Sequence, residues 1–288
     1  MGSIKFPSEY FTKPTQENID QGLEICSTSK ILFCGIARNV EKTLQRNIDR
    51  IHHTAEKFKE YKIFIYENDS TDNTKDILKQ NKIEYIAENN VKNHDYIIDI
   101  QEGRDNNFFK RCKFLAQCRN KYLDFAREKC SEYDYICIID LDIHGWSYEG
   151  FYDSIFRLSS KEIASVSAYG VLSNFDNSLD IEHSSNLLMY DSFAFRPVNF
   201  KGPWTEGLQA RCNYLQINAP SLVRSNFGGM AIYKMNLISQ FNYDINIING
   251  YVDAEHIYIN DCMSKLGYKH LINPFLITSY SKHRFCYV

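Results

Sequence analysis

Several features that would place a protein in a common class are absent from this 288-residue sequence. Its nine cysteines include no C-x-x-C pair, so the sequence predicts no zinc centre. An odd number of scattered cysteines is typical of a reducing compartment, and we expect a cytoplasmic protein. No stretch approaches 18 apolar residues, and the N-terminus lacks the apolar core of a signal peptide. The sequence therefore predicts a soluble chain without a transmembrane segment, peripheral to a membrane at most.

An excess of either charge is also missing. Lysine and arginine number 33 and aspartate and glutamate 36, which gives a formal net charge of −3. This balance gives no support for a nucleic-acid groove or for binding to an anionic membrane. The first apolar run is not followed by a G-x-G-x-x-G turn, which disfavours a dinucleotide-binding site. What is present is a hydrophobic content of 44%, ordinary for a globular protein with a core.

The order of apolar and helical segments indicates the fold class. Apolar runs and helical patterns alternate through the first half of the chain: strands at 31–36, 63–66, 83–86 and 135–139, and helices at 40–59, 72–80 and 108–129. Such alternation is typical of parallel sheets with right-handed crossovers. We therefore expect a single α/β domain with a Rossmann-like, mostly parallel central sheet flanked by helices. Residues 1–29 are expected to be a polar lead-in segment. Weaker signals predict a strand at 163–169, a helix at 252–266 and a strand at 268–272.

The most informative motif is Asp140-Leu141-Asp142, which follows the apolar run at 135–139. Residues two apart in a strand point to the same face, so both carboxylates would project together from the carboxyl end of that strand. Ligands bind at this edge of open α/β sheets. Paired carboxylates repel each other unless a cation lies between them, and oxygen ligands of this kind suit Mn²⁺ or Mg²⁺. The motif predicts a divalent-metal site, although a simple turn has the same short pattern.

A second acidic strand end lies upstream, at Glu67 and Asp69. Polar groups at this edge of the sheet would accept hydrogen bonds from a ribose or a base. The alternative is a turn that caps the next helix, with Asp72 as the N-cap. Because Glu67 and Asp69 add charge at a place that faces Asp140, we predict a ligand role for them.

Arg119 lies on the apolar face of the predicted helix at 108–129. An arginine that faces a core must meet an anion, because an unpaired buried charge costs several kcal/mol. That anion is either a carboxylate of the acidic cluster or a phosphate of a ligand, and the sequence does not choose between them.

Two clusters in the second half also have candidate roles. Gly228 and Gly229 would let a ligand approach the backbone closely, or would simply form a turn. Asp253, Glu255 and His256 open a predicted helix, where acidic residues either complement the helix dipole or act as a general base. His283, near the C-terminus, would become a metal ligand if the tail folded back.

These pieces follow the order seen in nucleotide-sugar glycosyltransferases of the glycosyltransferase-A fold, which the sequence resembles. The matching segments are the opening strand and loop at 34–39, the acidic strand end with S-T-D-x-T at 67–74, the D-x-D at 140–142, the glycine loop at 228–230 and the helix at 255–268. The resemblance covers roughly residues 30–285, and five ordered motifs are more specific than any one of them. It implies metal-dependent transfer of a hexose from a nucleoside-diphosphate sugar to a hydroxyl of a glycan, polysaccharide or glycoprotein.

The resemblance also implies roles for particular regions and residues. Residues 30–150 would form the nucleotide-sugar-binding half, and 151–288 the acceptor-binding half with the C-terminal tail. The polar stretch at 88–107 would close over the donor. The implied metal ligands for Mn²⁺ or Mg²⁺ are Asp142 directly, Asp140 through water or as a ribose ligand, and His283. The implied nucleoside pocket consists of Ala37, Arg38, Glu67 and Asp69.

The remaining implied roles concern the diphosphate and the acceptor. Arg119 would support the diphosphate or orient Asp140, and Gly228 and Gly229 would shape the acceptor side. Glu255 and Asp253 would contact the acceptor hydroxyl. One departure is that His256 stands where the broad family usually has its catalytic aspartate. The choice of base is therefore open among Glu255, Asp253 and His256.

A narrower likeness and two other classes complete the expectations. Residues 115–121, 190–196 and 266–268 resemble the capsule-associated α-1,3-mannosyltransferases of fungi, a retaining family. A nucleotidyltransferase shares the sheet and the metal, but the loop at 37–42 lacks the glycines that such an enzyme carries. A non-catalytic module that binds sugar nucleotides or glycans would use the same motifs without turnover.

Overall fold

The computed structural model describes residues 12–89, 104–173, 188–202, 212, 215–248 and 251–281. The helices of these ranges are α1 (Gln16–Thr28), α2 (Glu41–Ala55), α3 (Thr74–Gln80), α4 (Arg104–Lys129), α5 (Tyr148–Leu158), α6 (Met235–Ile238) and α7 (Glu255–Lys265). The first strands are β1 (Lys30–Ala37), β2 (Glu60–Asn68), β3 (Glu84–Glu88), β4 (Tyr135–Ile139), β5 (Gly145–Trp146) and β6 (Ile163–Ser173). The later strands are β7 (Leu188–Met189), β8 (Arg196–Pro197), β9 (Ser221–Ser225), β10 (Met230–Lys234), β11 (Ile247–Ile248), β12 (Tyr251–Val252) and β13 (Lys269–Ser281).

One central sheet organises the domain, in the order β3-β2-β1-β4-β10-β6-β13-β9-β8. Strands β1 to β4 are parallel, and β6 and β13 are parallel to each other. Strand β10 lies antiparallel between β4 and β6. The predicted single α/β domain with a mostly parallel sheet is confirmed. The antiparallel strand β10 was not predicted, and it brings the glycine turn before it against the end of β4.

Both faces of the sheet are covered, which explains why its central strands are apolar throughout. In β1, Ile31 and Phe33 face the core on the side of α2 and α5, whereas Leu32 and Cys34 face the core on the side of α4 and α7. All five residues of β4 are buried. Continuous apolar runs of this kind are typical of parallel strands buried on two faces.

Several element boundaries differ from the expectations. Residues 16–28 of the predicted lead-in segment form α1, which packs against α5 at Gly22, where an added Cβ would meet the Tyr152 carbonyl oxygen at 2.0 Å. Asp72 was predicted as the N-cap of α3, but the cap is Asn73. The Asp72 carboxylate instead accepts hydrogen bonds from the backbone N–H groups of Thr74 (3.0 Å) and Glu41 (3.1 Å), and so joins the starts of α3 and α2. The N-cap therefore lies one residue later than predicted, and Asp72 also makes a tertiary contact with the start of α2 that local spacing does not indicate.

The other predicted helices and strands are present as elements of the predicted type. Helix α7 begins at Glu255 rather than 252, and β13 continues to Ser281, well past the predicted strand at 268–272. No described helix meets the length and hydropathy needed to cross a bilayer.

Candidate active site

The acidic motif lies in the turn that follows β4, and neighbouring elements hold its backbone. The Asp140 N–H donates to the carbonyl of Gly229 at 2.9 Å. From α2, Thr43 Oγ1 and Asn47 Nδ2 donate to the carbonyl of Leu141 at 2.8 and 2.9 Å. The turn is therefore held by the glycine turn before β10 and by α2, and its two carboxylates lie at the carboxyl edge of β4.

Asp140 contacts groups from two other elements. Its Oδ2 accepts a hydrogen bond of 2.8 Å from the hydroxyl of Tyr280 on β13, and its Oδ1 lies 3.6 Å from Nη2 of Arg119 on α4. Burial raises the pKa of Asp140 to about 6, against the opposing effect of Arg119 and with a further rise caused by Asp142. A carboxyl whose surroundings disfavour ionisation is one that a bound cation would stabilise in its ionised form.

Arg119 meets an anion, as its position on the apolar face of α4 required. Its side chain is buried, and Nε donates to Oε1 of Glu255 at 2.7 Å. The guanidinium also lies over the Phe227 ring, 5.0 Å from the centroid. Nη1 is buried and makes no hydrogen bond within the geometric limits among the described residues. The ion pair with Glu255 is thus present, and the phosphate contact stays a prediction.

The structure places the three predicted base candidates in buried positions. Glu255 is 3% exposed and paired with Arg119. Asp253 is 1% exposed, and its Oδ1 accepts from Nη2 of Arg196 at 2.6 Å. His256 is stacked on Phe227 with ring centroids 3.9 Å apart, and burial, reinforced by Arg119, lowers its pKa well below the ordinary value. His256 is therefore neutral at physiological pH.

The two glycines form a turn between β9 and β10. Gly228 and Gly229 have φ values of 60° and 82°, which residues with a Cβ rarely adopt. An added Cβ would lie 2.2 Å from the Ala168 carbonyl at Gly228 and 2.8 Å from the Tyr280 ring at Gly229. The protein itself thus occupies the space that side chains would need. The turn interpretation accounts for both glycines, and their role in ligand binding stays a prediction.

The acidic end of β2 is engaged in a different way from the end of β4. Glu67 has no exposed surface, and its Oε1 accepts from the N–H of Ser70 at 2.7 Å. Asp69 is partly exposed with a φ of 52°. The neighbouring loop after β1 is joined to this one, because Asn39 N–H donates to Ser70 Oγ at 3.0 Å and Asn39 Oδ1 accepts from the N–H of Thr71 at 2.8 Å.

The two other predicted pocket residues flank this joined pair of loops. Ala37 is buried, whereas Arg38 is exposed. Of the four predicted pocket residues, Arg38 and Asp69 are therefore the ones with side chains open to a ligand. The segment at 90–103, which includes most of the predicted closing loop, lies outside the described residues.

Sequence reasoning assigned no role to three residues that the fold brings to the acidic turn. Tyr280 and Tyr190 stack with ring centroids 3.3 Å apart, and Tyr280 donates to Asp140. Asp191 is partly exposed, and its Oδ2 accepts from the N–H of Gly228 at 3.3 Å. Burial raises the pKa of Asp191 to about 8, and Asp140 and Glu255 add to the rise. These residues lie in segments with weak periodicity, so no local pattern indicated them.

The donor set of the acidic turn fits a divalent cation. Within the described ranges no group of three or more His, Cys, Asp or Glu residues is arranged to hold a metal ion. His283, the predicted third ligand, lies outside those ranges. However, Mg²⁺ at phosphate-binding sites uses one or two carboxylates together with substrate phosphates and waters. Asp140 and Asp142 supply two hard oxygen ligands, and the charge of Asp142 adds to the rise that burial causes in the pKa of Asp140.

Comparisons with known proteins agree on the fold. No protein family and no curated protein matches the sequence. Among solved structures, the mannosyltransferase PcManGT from Pyrobaculum calidifontis, in complex with GDP-Man and Mn²⁺, matches with a TM-score of 0.50 and 12% identity over 92% of this chain and 62% of that one. GalNAc-T7 with UDP, GalNAc and Mn²⁺ matches with a TM-score of 0.53 and 13% identity over 88% of this chain and 44% of that one.

A third match is glucosyl-3-phosphoglycerate synthase from Mycobacterium tuberculosis, in complex with Mn²⁺, UDP and phosphoglyceric acid. Its TM-score is 0.51, with 11% identity over 93% of this chain and 76% of that one. At such low identities these matches show the glycosyltransferase-A fold. The chain spans less than two thirds of the length of PcManGT and less than half of GalNAc-T7. The likeness to fungal capsule mannosyltransferases is not shown by them and stays a prediction.

Proposed function

We propose that this chain is a metal-dependent glycosyltransferase that moves a hexose from a nucleoside-diphosphate sugar to a hydroxyl acceptor. The observation that carries this proposal is the acidic turn after β4. In a sheet of the glycosyltransferase-A fold, its partly exposed carboxylates lie at the carboxyl edge, beside a buried arginine. The neighbours bound to nucleotide and Mn²⁺ support the same class of reaction.

Asp140 and Asp142 are the residues proposed to hold the cation, as Mn²⁺ or Mg²⁺. A divalent cation at this turn would neutralise negative charge that develops on the departing diphosphate. Tyr280 and Arg119 would fix the orientation of Asp140 by their contacts of 2.8 and 3.6 Å. Arg119 would also direct Nη1 toward a diphosphate oxygen, which would satisfy the buried donor.

The nucleoside is proposed to lie over the joined loops after β1 and β2. Arg38 and Asp69 would contact it directly, because their side chains are accessible. Glu67 is fully buried and would act indirectly, by holding the Ser70 backbone and with it the loop. Glu255 would act through Arg119, and the turn at Gly228 and Gly229 would shape the acceptor side.

The test is hydrolysis of a donor panel by the full chain, measured as released nucleoside diphosphate. GDP-mannose, UDP-glucose and UDP-GalNAc are each assayed once with Mn²⁺ and once with excess chelator. In a separate assay, the corresponding nucleoside triphosphate and a sugar phosphate are supplied together as substrates. We expect hydrolysis of at least one donor that Mn²⁺ supports and chelator abolishes. Pyrophosphate release from the triphosphate would instead identify a nucleotidyltransferase. Donor binding by thermal shift without any turnover would identify a binding module.

A further inference from the structure

The proposed reaction needs a group that accepts the proton of the acceptor hydroxyl. A general base must lie within hydrogen-bond reach of the acceptor and must be free to hold the proton. Glu255, Asp253 and His256 are each at most 3% exposed. The two carboxylates already accept hydrogen bonds from Arg119 and Arg196, at 2.7 and 2.6 Å. Protonating either of them would remove the closest counter-charge of a buried guanidinium, which is strongly unfavourable.

Asp191 differs from these three groups in exposure and in partners. It is partly exposed and makes no ion pair within the part of the chain that the structure describes. Among the described residues, its side chain accepts one hydrogen bond, from the backbone N–H of Gly228. That contact orients the side chain through Oδ2 and does not engage the other carboxyl oxygen.

A short chain of backbone contacts links Asp191 to the acidic turn. Gly228 donates to Asp191, and the carbonyl of the next residue, Gly229, accepts from the N–H of Asp140 at 2.9 Å. Asp191 therefore lies across the glycine turn from the proposed metal ligands. The groups whose charge acts on it are Asp140 after β4, Glu255 on α7 and Arg119 on α4. The two carboxylates raise the proton affinity of Asp191, which makes its ionised carboxylate a stronger base.

We infer that Asp191 is the general base of the proposed transfer, an inference that rests on the proposed function. The acceptor oxygen forms a bond to C1 of the sugar while its proton passes to the Asp191 carboxylate. The bond from C1 to the diphosphate oxygen breaks, and its electron pair leaves with the diphosphate. In donor hydrolysis, water takes the place of the acceptor hydroxyl and loses its proton in the same way.

The experiment compares Asp191→Asn with the wild-type chain in Mn²⁺-dependent donor hydrolysis. Asparagine keeps an oxygen that can accept from Gly228 but removes the basic carboxylate. We expect the hydrolysis rate to fall by roughly 10²- to 10⁴-fold. The affinity for nucleoside diphosphate with Mn²⁺, measured by calorimetry, should stay within about threefold of wild type. Asp191 is not proposed to contact the nucleotide or the metal, and a change in its hydrogen bond to Gly228 should affect that affinity little. Asp20→Asn, on the exposed part of α1, is the matched control and should keep the wild-type rate.

A second variant tests the chemistry directly. Asp191→Ala leaves space for a small carboxylate, so added formate should restore part of its lost rate, whereas Asp191→Asn should not respond. A rate for Asp191→Asn within threefold of wild type would overturn the inference. A loss of rate matched by an equal loss of nucleotide affinity, or no rescue by formate, would also overturn it. Absence of hydrolysis by the wild-type chain would instead reject the proposed function itself.

Discussion

Two acidic strand ends look alike in the sequence and differ in the structure. β2 ends in Glu67 and Asp69, and β4 is followed by Asp140 and Asp142, with the same spacing at the same edge of the sheet. Glu67 is fully buried and binds the backbone of its own loop. Asp140 is partly exposed and faces groups from α4 and β13, with a pKa raised to about 6 mainly by burial.

The difference distinguishes a carboxylate that stabilises its own turn from one whose negative charge is only partly compensated by the protein. A buried carboxylate that accepts a backbone N–H within three residues stabilises a turn. A carboxylate whose pKa is raised by burial and by a neighbouring carboxylate is poorly compensated by the protein alone. Spacing alone predicts two ligand sites, whereas burial and partners favour one metal site and one scaffold.

The largest expected effect is at the end of β4. Asp142→Ala should lower Mn²⁺-dependent donor hydrolysis by at least about 10³-fold, because the charge stabilisation that a metal supplies is worth several kcal/mol. Urea denaturation should show a stability within about 1 kcal/mol of wild type, since Asp142 is partly exposed. Normal turnover by this variant, or full wild-type activity in excess chelator, would reject the metal role.

At the end of β2, substitution of Glu67 should change the stability of the fold. Glu67→Ala should lower the free energy of unfolding by about 2–3 kcal/mol, because it leaves a cavity and an unsatisfied Ser70 N–H in a buried turn. Glu67→Gln, which keeps an acceptor oxygen, should lose less. If Glu67→Gln instead weakened nucleotide binding more than tenfold with unchanged stability, the two strand ends would be equivalent after all.

The raised pKa of Asp140 predicts a pH dependence of stability in the presence of chelator. The folded pKa of about 6 exceeds the ordinary value of about 3.9, so between these values the folded state holds a proton that the unfolded state has released. The free energy of unfolding should therefore fall, by about 1–3 kcal/mol, as the pH rises from about 4 to about 6. Urea melts across this range measure it.

Asp140→Asn should remove this part of the pH dependence and should be more stable than wild type at pH 7.5 without metal. Mn²⁺ should stabilise wild type at pH 7.5 and not the variant. If the free energy of unfolding instead rose from pH 4 to pH 6, and rose equally in wild type and in Asp140→Asn, the pKa of the Asp140 carboxyl would not be raised in the folded state.

The smallest expected effect concerns the hydroxyl that orients Asp140. Tyr280→Phe removes one hydrogen bond to Oδ2 and keeps the stack on Tyr190. The loss should be about 1 kcal/mol, or roughly 2- to 10-fold in Mn²⁺ affinity, measured by titration. Tyr61→Phe, which removes a hydroxyl bonded to His52 on the surface of α2, is the control and should leave Mn²⁺ affinity unchanged.

The parts of the fold that could be predicted were those with local periodicity. The helix that carries Arg119 and the strand before Asp140 were both predicted, since apolar spacing marks them. Strand β10 and helix α5 were not predicted. Tyr280 lies beyond the predicted limit of β13, which continues past an irregular register near Asn273 and Ile277.

What the sequence by itself determined is the class of sheet, the position of the acidic turn at the end of a buried strand, and the need of Arg119 for an anion. Those features follow from periodicity and from the cost of burying charge, which act along a single segment. Only the tertiary structure decided that Glu255 is that anion, that Glu67 is fully buried while Asp140 is partly exposed, and that Asp191 and Tyr280 lie beside the acidic turn. Each of those outcomes depends on which distant segments the fold brings together, because exposure and pairing are properties of neighbours in space.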